Sequence, residues 1–154
     1  MDESLKNTVY ETMSEVFETM FFTFLEPMFE VPPEEEWDTS DSYIEAFISY
    51  EGEMSGVFRF FFPKLLARKI TVNFLGIEES ALEERQVSDT AGETANMTVG
   101  SLLGKLDPQG SSKLGMPQTK EIEDFSPAEF AQEDGLYVYN TDFGLLWMVH
   151  HQNK

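Results

Sequence analysis

Apolar residues recur every three to four positions through 2–25, where Val9, Met13, Val16, Phe17, Met20 and Phe24 share one side and Glu11, Glu15 and Glu18 the other. This period predicts a helix capped by Asp2 or Ser4, with the apolar side buried as a stripe. Phe22 falls among the glutamates and is expected to be exposed. Pro27, Pro32, Pro33 and the acidic run Glu34–Glu36 interrupt the pattern, so 26–42 reads as an acidic loop. The β-branched and aromatic residues of 43–50 and 54–62 then predict a hairpin turning at Gly52, with F-R-F-F-F as core strand. A second helix is expected over 63–75, opened by Pro63 and closed by Gly76. Its Lys64, Arg68 and Lys69 form a local basic cluster that balances charge, with Arg68 and Lys69 nearer the helix C-terminus.

The longest helical period, 85–106, places Val87, Ala91, Ala95, Thr98, Val99, Leu102 and Leu106 on one arc. Asp89, Glu93, Asn96 and Gly100 occupy the opposite arc, with Gly100 leaving open space one turn beyond the amide. Pro108 and Gly110 end this helix, and extended structure is expected at 112–123, 135–141 and 145–151. The order helix, hairpin, two helices, strands favours an α/β (α+β) two-layer fold, with long helices on a mostly antiparallel sheet. Glu11, Glu15 and Glu18 repeat the spacing of Asp89, Glu93 and Asn96, an echo that suggests pseudo-symmetric halves.

Composition narrows the function classes. A length of 154 residues fits a single domain, and 41% hydrophobic residues with 14 Phe are enough for a core. With 29 acidic against 10 basic residues the formal charge is −19, which disfavours nucleic acid and favours basic protein surfaces. There is no cysteine, which rules out disulfides, thiolate metal sites and cysteine nucleophiles. No stretch approaches the ~20 apolar residues of a membrane span and the N-terminus lacks a signal pattern, so a cytoplasmic protein without membrane contact is expected.

His150 and His151 are neighbours on a predicted strand and point to opposite sides, so they do not form one site. The chain has no HExxH, CxxC, GxSxG, GxxxxGK[ST] or GxGxxG, and the methionines show no metal-ligand spacing. Asp89 with Glu93 could ligate a divalent cation or act as an acid/base pair, or simply be solvated. A helix face bearing Glu and Asn makes no cleft of its own and suits insertion into another protein's site.

The residues D-T-A-G-E-T-A-N at 89–96 resemble the signature of the CheC, CheX and FliY chemotaxis phosphatases. Gly100, four residues past Asn96, is similar to the CheX version, as are E-V-F-E-T-M at 15–20, the F-R-F strand followed by a helix, and L-G-M-P at 114–117. The likeness spans 1–154 at pattern level and is concentrated at 89–96. It implies dephosphorylation of a phosphorylated CheY-type response regulator by Glu93 and Asn96, with Asp89 and Gly100 contacting the partner. Asn96 would orient the attacking water and Glu93 would pair with the regulator's lysine. No cofactor or metal of its own is implied, because Mg²⁺ is expected on the regulator. The first helix has Glu18 where a second Asn would stand, so one site per chain is implied, and CheX-type pairing through the sheet implies a homodimer. The resemblance also predicts a downstream proline, for which Pro117 is the candidate. The alternative is a non-catalytic module that binds a response regulator or a flagellar switch protein through the same face.

Overall fold

The computed structural model describes residues 3–38 and 41–153. Three helices, α1 (Glu3–Phe21), α2 (Lys64–Leu75) and α3 (Glu84–Leu106), cover one face of an antiparallel sheet. Its strands are β1 (Glu26–Met28), β2 (Tyr43–Glu51), β3 (Gly56–Pro63), β4 (Lys113–Leu114), β5 (Gln118–Ile122), β6 (Leu136–Thr141) and β7 (Gly144–Gln152). Across the sheet the order is β1-β6-β7-β3-β2, with β4 and β5 both pairing with β2 at the far edge.

This order makes the halves pseudo-symmetric. The hairpins β2–β3 and β6–β7 meet at the central β3–β7 pair, and each half lends an edge strand to the other's hairpin. Thus β1 lies on β6, while β5 lies on β2. Alternation along the strands sorts their side chains between two cores. Ile44, Ala46, Ile48, Phe58, Phe60, Phe62, Tyr137 and Met148 face the helices, where they meet Met13, Phe17, Ile70, Ala91, Ala95 and Val99. Tyr43, Phe61, Val138 and Trp147 face the other way and are sealed by Phe125 and Phe130. Burial on both sides explains why F-R-F-F-F lacks strict polar alternation.

Several local expectations are corrected. Helix α1 stops at Phe21 instead of residue 25, because Phe22 takes a left-handed backbone (φ 51°) and the Asn73 amide donates to the Phe21 carbonyl (2.8 Å). Phe22 is 75% exposed as expected, but Met20 and Phe24 are also exposed rather than in the core stripe. Ser4 lies within the first turn of α1, while Asp2 lies outside the described residues. The stretch 26–42 is not all loop: Glu26–Met28 forms the edge strand β1, and Glu34–Glu36 is a short 3-10 turn. Residues 39 and 40 of that stretch lie outside the described residues. Pro63 is the last residue of β3 and precedes α2, whose end at the left-handed Gly76 (φ 64°) agrees with the sequence. Arg68 and Lys69 sit in mid-helix, so their charges are not at a helix terminus.

The histidines separate as alternation requires. His150 is 5% exposed, stacks on Phe58 (4.2 Å between rings), and its Nε2 lies 2.7 Å from Tyr50 Oη. His151 is exposed and its Nε2 meets Glu133 Oε2 at 2.8 Å. On β6, Tyr139 is buried against Tyr10, and among the described residues its hydroxyl has no hydrogen-bond partner. Removing that hydroxyl relieves an uncompensated desolvation, so Tyr139→Phe is expected to gain about 1 kcal/mol of stability. A urea midpoint below that of the wild type would overturn this expectation.

Candidate functional site

Helix α3 starts one residue before the sequence-based boundary and ends at the same place. Its start is a capping box, in which Glu83 and Gln86 reciprocally satisfy backbone N–H groups, with Gln86 Oε1 accepting from the Glu83 N–H at 2.8 Å. Charges brace the same end. Lys64 at the start of α2 pairs with Glu84 (3.0 Å) and with Glu121 on β5, and Arg68 also holds Glu84 (2.9 Å). The hydrogen bonds to Glu121 and Glu84 raise the Lys64 pKa, and the one from Lys64 lowers that of Glu84. Lys64 and Arg68 therefore tie α2, β5 and the N-terminus of α3 together, while Lys69 lies over the Phe143 ring (5.8 Å).

The apolar arc of α3 is in the core: Val87, Ala91, Ala95, Thr98, Val99 and Leu102 are buried, and Leu106 packs at the edge. On the opposite arc Asp89 and Glu93 are exposed and Asn96 is half-buried. Glu93 and Asn96 are one turn apart, which puts their Cβ atoms about 5–6 Å from each other. Among the described residues neither side chain has a hydrogen-bond or ion-pair partner, whereas Asp89 lies 3.9 Å from Arg85. Their counterparts on α1 differ. Glu15, at the position that echoes Glu93, is held by Lys105 (3.2 Å), which also donates to Thr12 Oγ1 (3.0 Å). The echo is thus a fold symmetry whose second copy alone keeps a free Glu and Asn.

Gly100 is half-buried, and a Cβ there would touch Leu114 Cδ1 at 3.6 Å, so its flank is bordered by β4 rather than open. Gly92 is the closer approach that sequence reading missed. A Cβ at Gly92 would meet Thr119 Cγ2 at 3.5 Å and Pro117 Cβ at 3.6 Å, which sets the edge of the sheet directly against α3 beside Glu93. A helix-interior glycine together with a Gly-x-Pro break between two short strands, G-M-P at 115–117, is the sequence signal for such a contact.

The resulting site is a convex ridge. The concavity alongside, a groove between α1 and α3 lined by Thr12, Glu15, Val16, Met20, Met97 and Ser101, lies to one side of Asn96. Among the described residues no group of three or more histidines and carboxylates is placed to hold a metal ion. Nor is any helix there long and apolar enough to cross a membrane. An amide can donate to and accept from one water, and a carboxylate can accept from a cation, but this ridge encloses no substrate. Any chemistry at this ridge would need a second surface to supply the reacting group.

Comparison with known proteins bears on the fold and the family. No functionally curated protein matches the sequence. Among solved structures the chain is similar to the chemotaxis protein CheX from Vibrio vulnificus (20% identity, 97% of this chain and 96% of that one, TM-score 0.73). It is also similar to a CheC-like superfamily protein from Shewanella sp. PV-4 (18% identity, 100% of both chains, TM-score 0.74). A third similar structure is the CheX–CheY–BeF3–Mg²⁺ complex from Borrelia burgdorferi (12% identity, 97% of this chain and 98% of that one, TM-score 0.68). At these identities the likeness establishes the fold. A family model described as chemotaxis phosphatase CheX matches residues 44–139, more than half of the chain and including the whole Glu93–Asn96 ridge, and the chain belongs to that family.

Proposed function

We propose that the protein, as a single domain, hydrolyses the aspartyl phosphate of a CheY-type response regulator. The observation that carries this reading is the pair Glu93 and Asn96 on the outer face of α3, neither of which has an intramolecular side-chain partner among the described residues. Asn96 enters the regulator's acidic pocket and orients a water in line with the phosphorus. As the water oxygen bonds to phosphorus, the bond to the aspartyl oxygen breaks, releasing inorganic phosphate and a carboxylate. Glu93 pairs with the regulator's lysine and fixes the docking angle. Charge on the transferring phosphoryl is neutralised by Mg²⁺ bound to the regulator, so the chain carries no cofactor of its own. Asp89 and Gly100 lie within the docked face.

The same reading places the protein in the cytoplasm as a homodimer paired through its sheet. Support for pairing comes from the sheet face away from the helices, where the apolar Phe47 is only half-buried.

The deciding experiment follows phosphate loss from a phosphorylated CheY-type regulator in Mg²⁺ with and without this protein. Wild type is expected to speed the decay at least about tenfold at catalytic concentrations. A decay rate unaffected by excess protein across the CheY-type regulators of its own cell would overturn the phosphatase reading. Saturable binding without faster decay would instead identify a non-catalytic binding module.

A further inference from the structure

The ridge has a rim that the proposed chemistry does not use. Leu114 stands opposite Gly100 and Pro117 opposite Gly92, so the segment 114–117 runs beside α3 across the turns that carry Glu93 and Asn96. Tyr50 pairs with Leu114 and Phe47 with Gln118, which leaves residues 115–117 facing only Ile48 and Ser49. One extra residue in an edge strand is a β-bulge, a device that turns a side chain out of the sheet. Its two ends are fixed. The Gly115 N–H donates to the Ser49 carbonyl (2.8 Å), and a Cβ on Gly115 would come within 2.9 Å of Ser49 Oγ. Pro117 is held against Gly92. Between them Met116 is 84% exposed, more than any other large hydrophobic residue described.

We infer that Met116, presented by this bulge beside Glu93 and Asn96, is an apolar docking contact for the response regulator's receiver domain. The inference rests on the reading of Glu93 and Asn96 as the regulator-facing pair. A folded partner that brings a phosphoaspartate to Asn96 covers roughly 800 Å² on each side. A rim residue level with Asn96 falls inside that footprint and loses its water. The charged groups on the ridge are Asp89 and Glu93, and Met116 adds apolar area beside them. An unbranched thioether adapts to a partner's surface, and its backbone is already fixed at Gly115 and Pro117, which lowers the ordering cost of binding. The occupant is therefore a receiver domain with a small apolar patch next to its phosphorylation site, and Met116 sets which regulators fit.

The test compares wild type with Met116→Leu and Met116→Glu, reading both the kinetics of regulator dephosphorylation and equilibrium binding to the regulator loaded with Mg²⁺ and beryllofluoride. Met116→Glu is expected to raise KM and the dissociation constant about tenfold with little change in kcat, and Met116→Leu to restore both to within about twofold. At this exposure substitution does not threaten folding, which circular dichroism verifies. Equal affinity of Met116→Glu and wild type overturns the docking inference while leaving the phosphatase reading intact. Wild-type binding that weakens on Met116→Glu without any accelerated decay supports the docking inference and removes catalysis. No binding by wild type overturns both.

Discussion

Replacing Asn96 by alanine is expected to lower the acceleration of regulator dephosphorylation by about 10²-fold or more, with regulator binding largely kept. The amide is the one group on the ridge that can both donate to and accept from a water, and alanine offers neither function. Losing a single preorganised polar contact to the reacting centre costs about 2.7–4 kcal/mol in activation free energy where the site excludes water. Asn96 is half-buried on α3 and has no partner within the described residues, so the substitution breaks no internal bond. Alanine also favours helix by roughly 0.5 kcal/mol, and stability should hold or rise. Glu93→Ala acts differently, because a carboxylate that pairs with a partner's cation contributes to docking. Its loss is expected to appear mainly in KM, about tenfold, and to shrink with added salt. Single-turnover decay at saturating protein separates the two, and an Asn96→Ala protein with wild-type kcat would eliminate the water-orienting mechanism.

Stability between pH 6.5 and 4 is expected to depend on His150 by about 2–3 kcal/mol. Burial, with a smaller contribution from the neighbouring His151, pushes its pKa from the ordinary 6.5 down to about 4. The folded state therefore holds a neutral imidazole in a range where the unfolded chain takes up a proton. Below pH 6.5 the unfolded state binds more protons and stability falls, and the loss is complete once the pH has passed through about 4. The structural cause is burial of His150, whose ring face stacks on Phe58 and whose Nε2 meets the Tyr50 hydroxyl, so that a charged ring there would lose most of its hydration. Many carboxylates titrate in the same range, so the comparison is with His150→Gln, which keeps a polar group near Tyr50 but has no proton to gain. Wild type should lose about 2–3 kcal/mol more than the variant between pH 8 and pH 4.5 in urea unfolding. Parallel pH profiles would show that the ring is not the source.

Local signals carried much of the architecture. The period of α3, the hairpin around Gly52 and the left-handed stop at Gly76 all follow from spacing and from glycine's backbone freedom. The end of α1 did not, because F-F-T-F at 21–24 contains no residue that prefers the left-handed region, and the turn at Phe22 is held by Asn73 from another helix. Strand β1 was equally hidden: a three-residue strand containing Pro27 has a loop's composition, and only its pairing with β6 makes it extended. The basic residues of α2 looked like local charge balance until Glu84 and Glu121 arrived from distant parts of the chain.

For the site the division has a simple physical basis. A helical period is local, so the side chains that share the outer arc of α3 can be read from spacing, and Asp89, Glu93, Asn96 and Gly100 do lie on the face away from the core. Whether such a polar group is free or already paired depends on side chains far along the chain. Only folding separates Glu15, held by Lys105, from its counterpart Glu93, which has no partner among the described residues. The rim has the same origin. Pairing of β4 and β5 with β2 leaves one residue over, and the close approach to Gly92 and Gly100 turns that bulge, with Met116 at its tip, into part of the same surface.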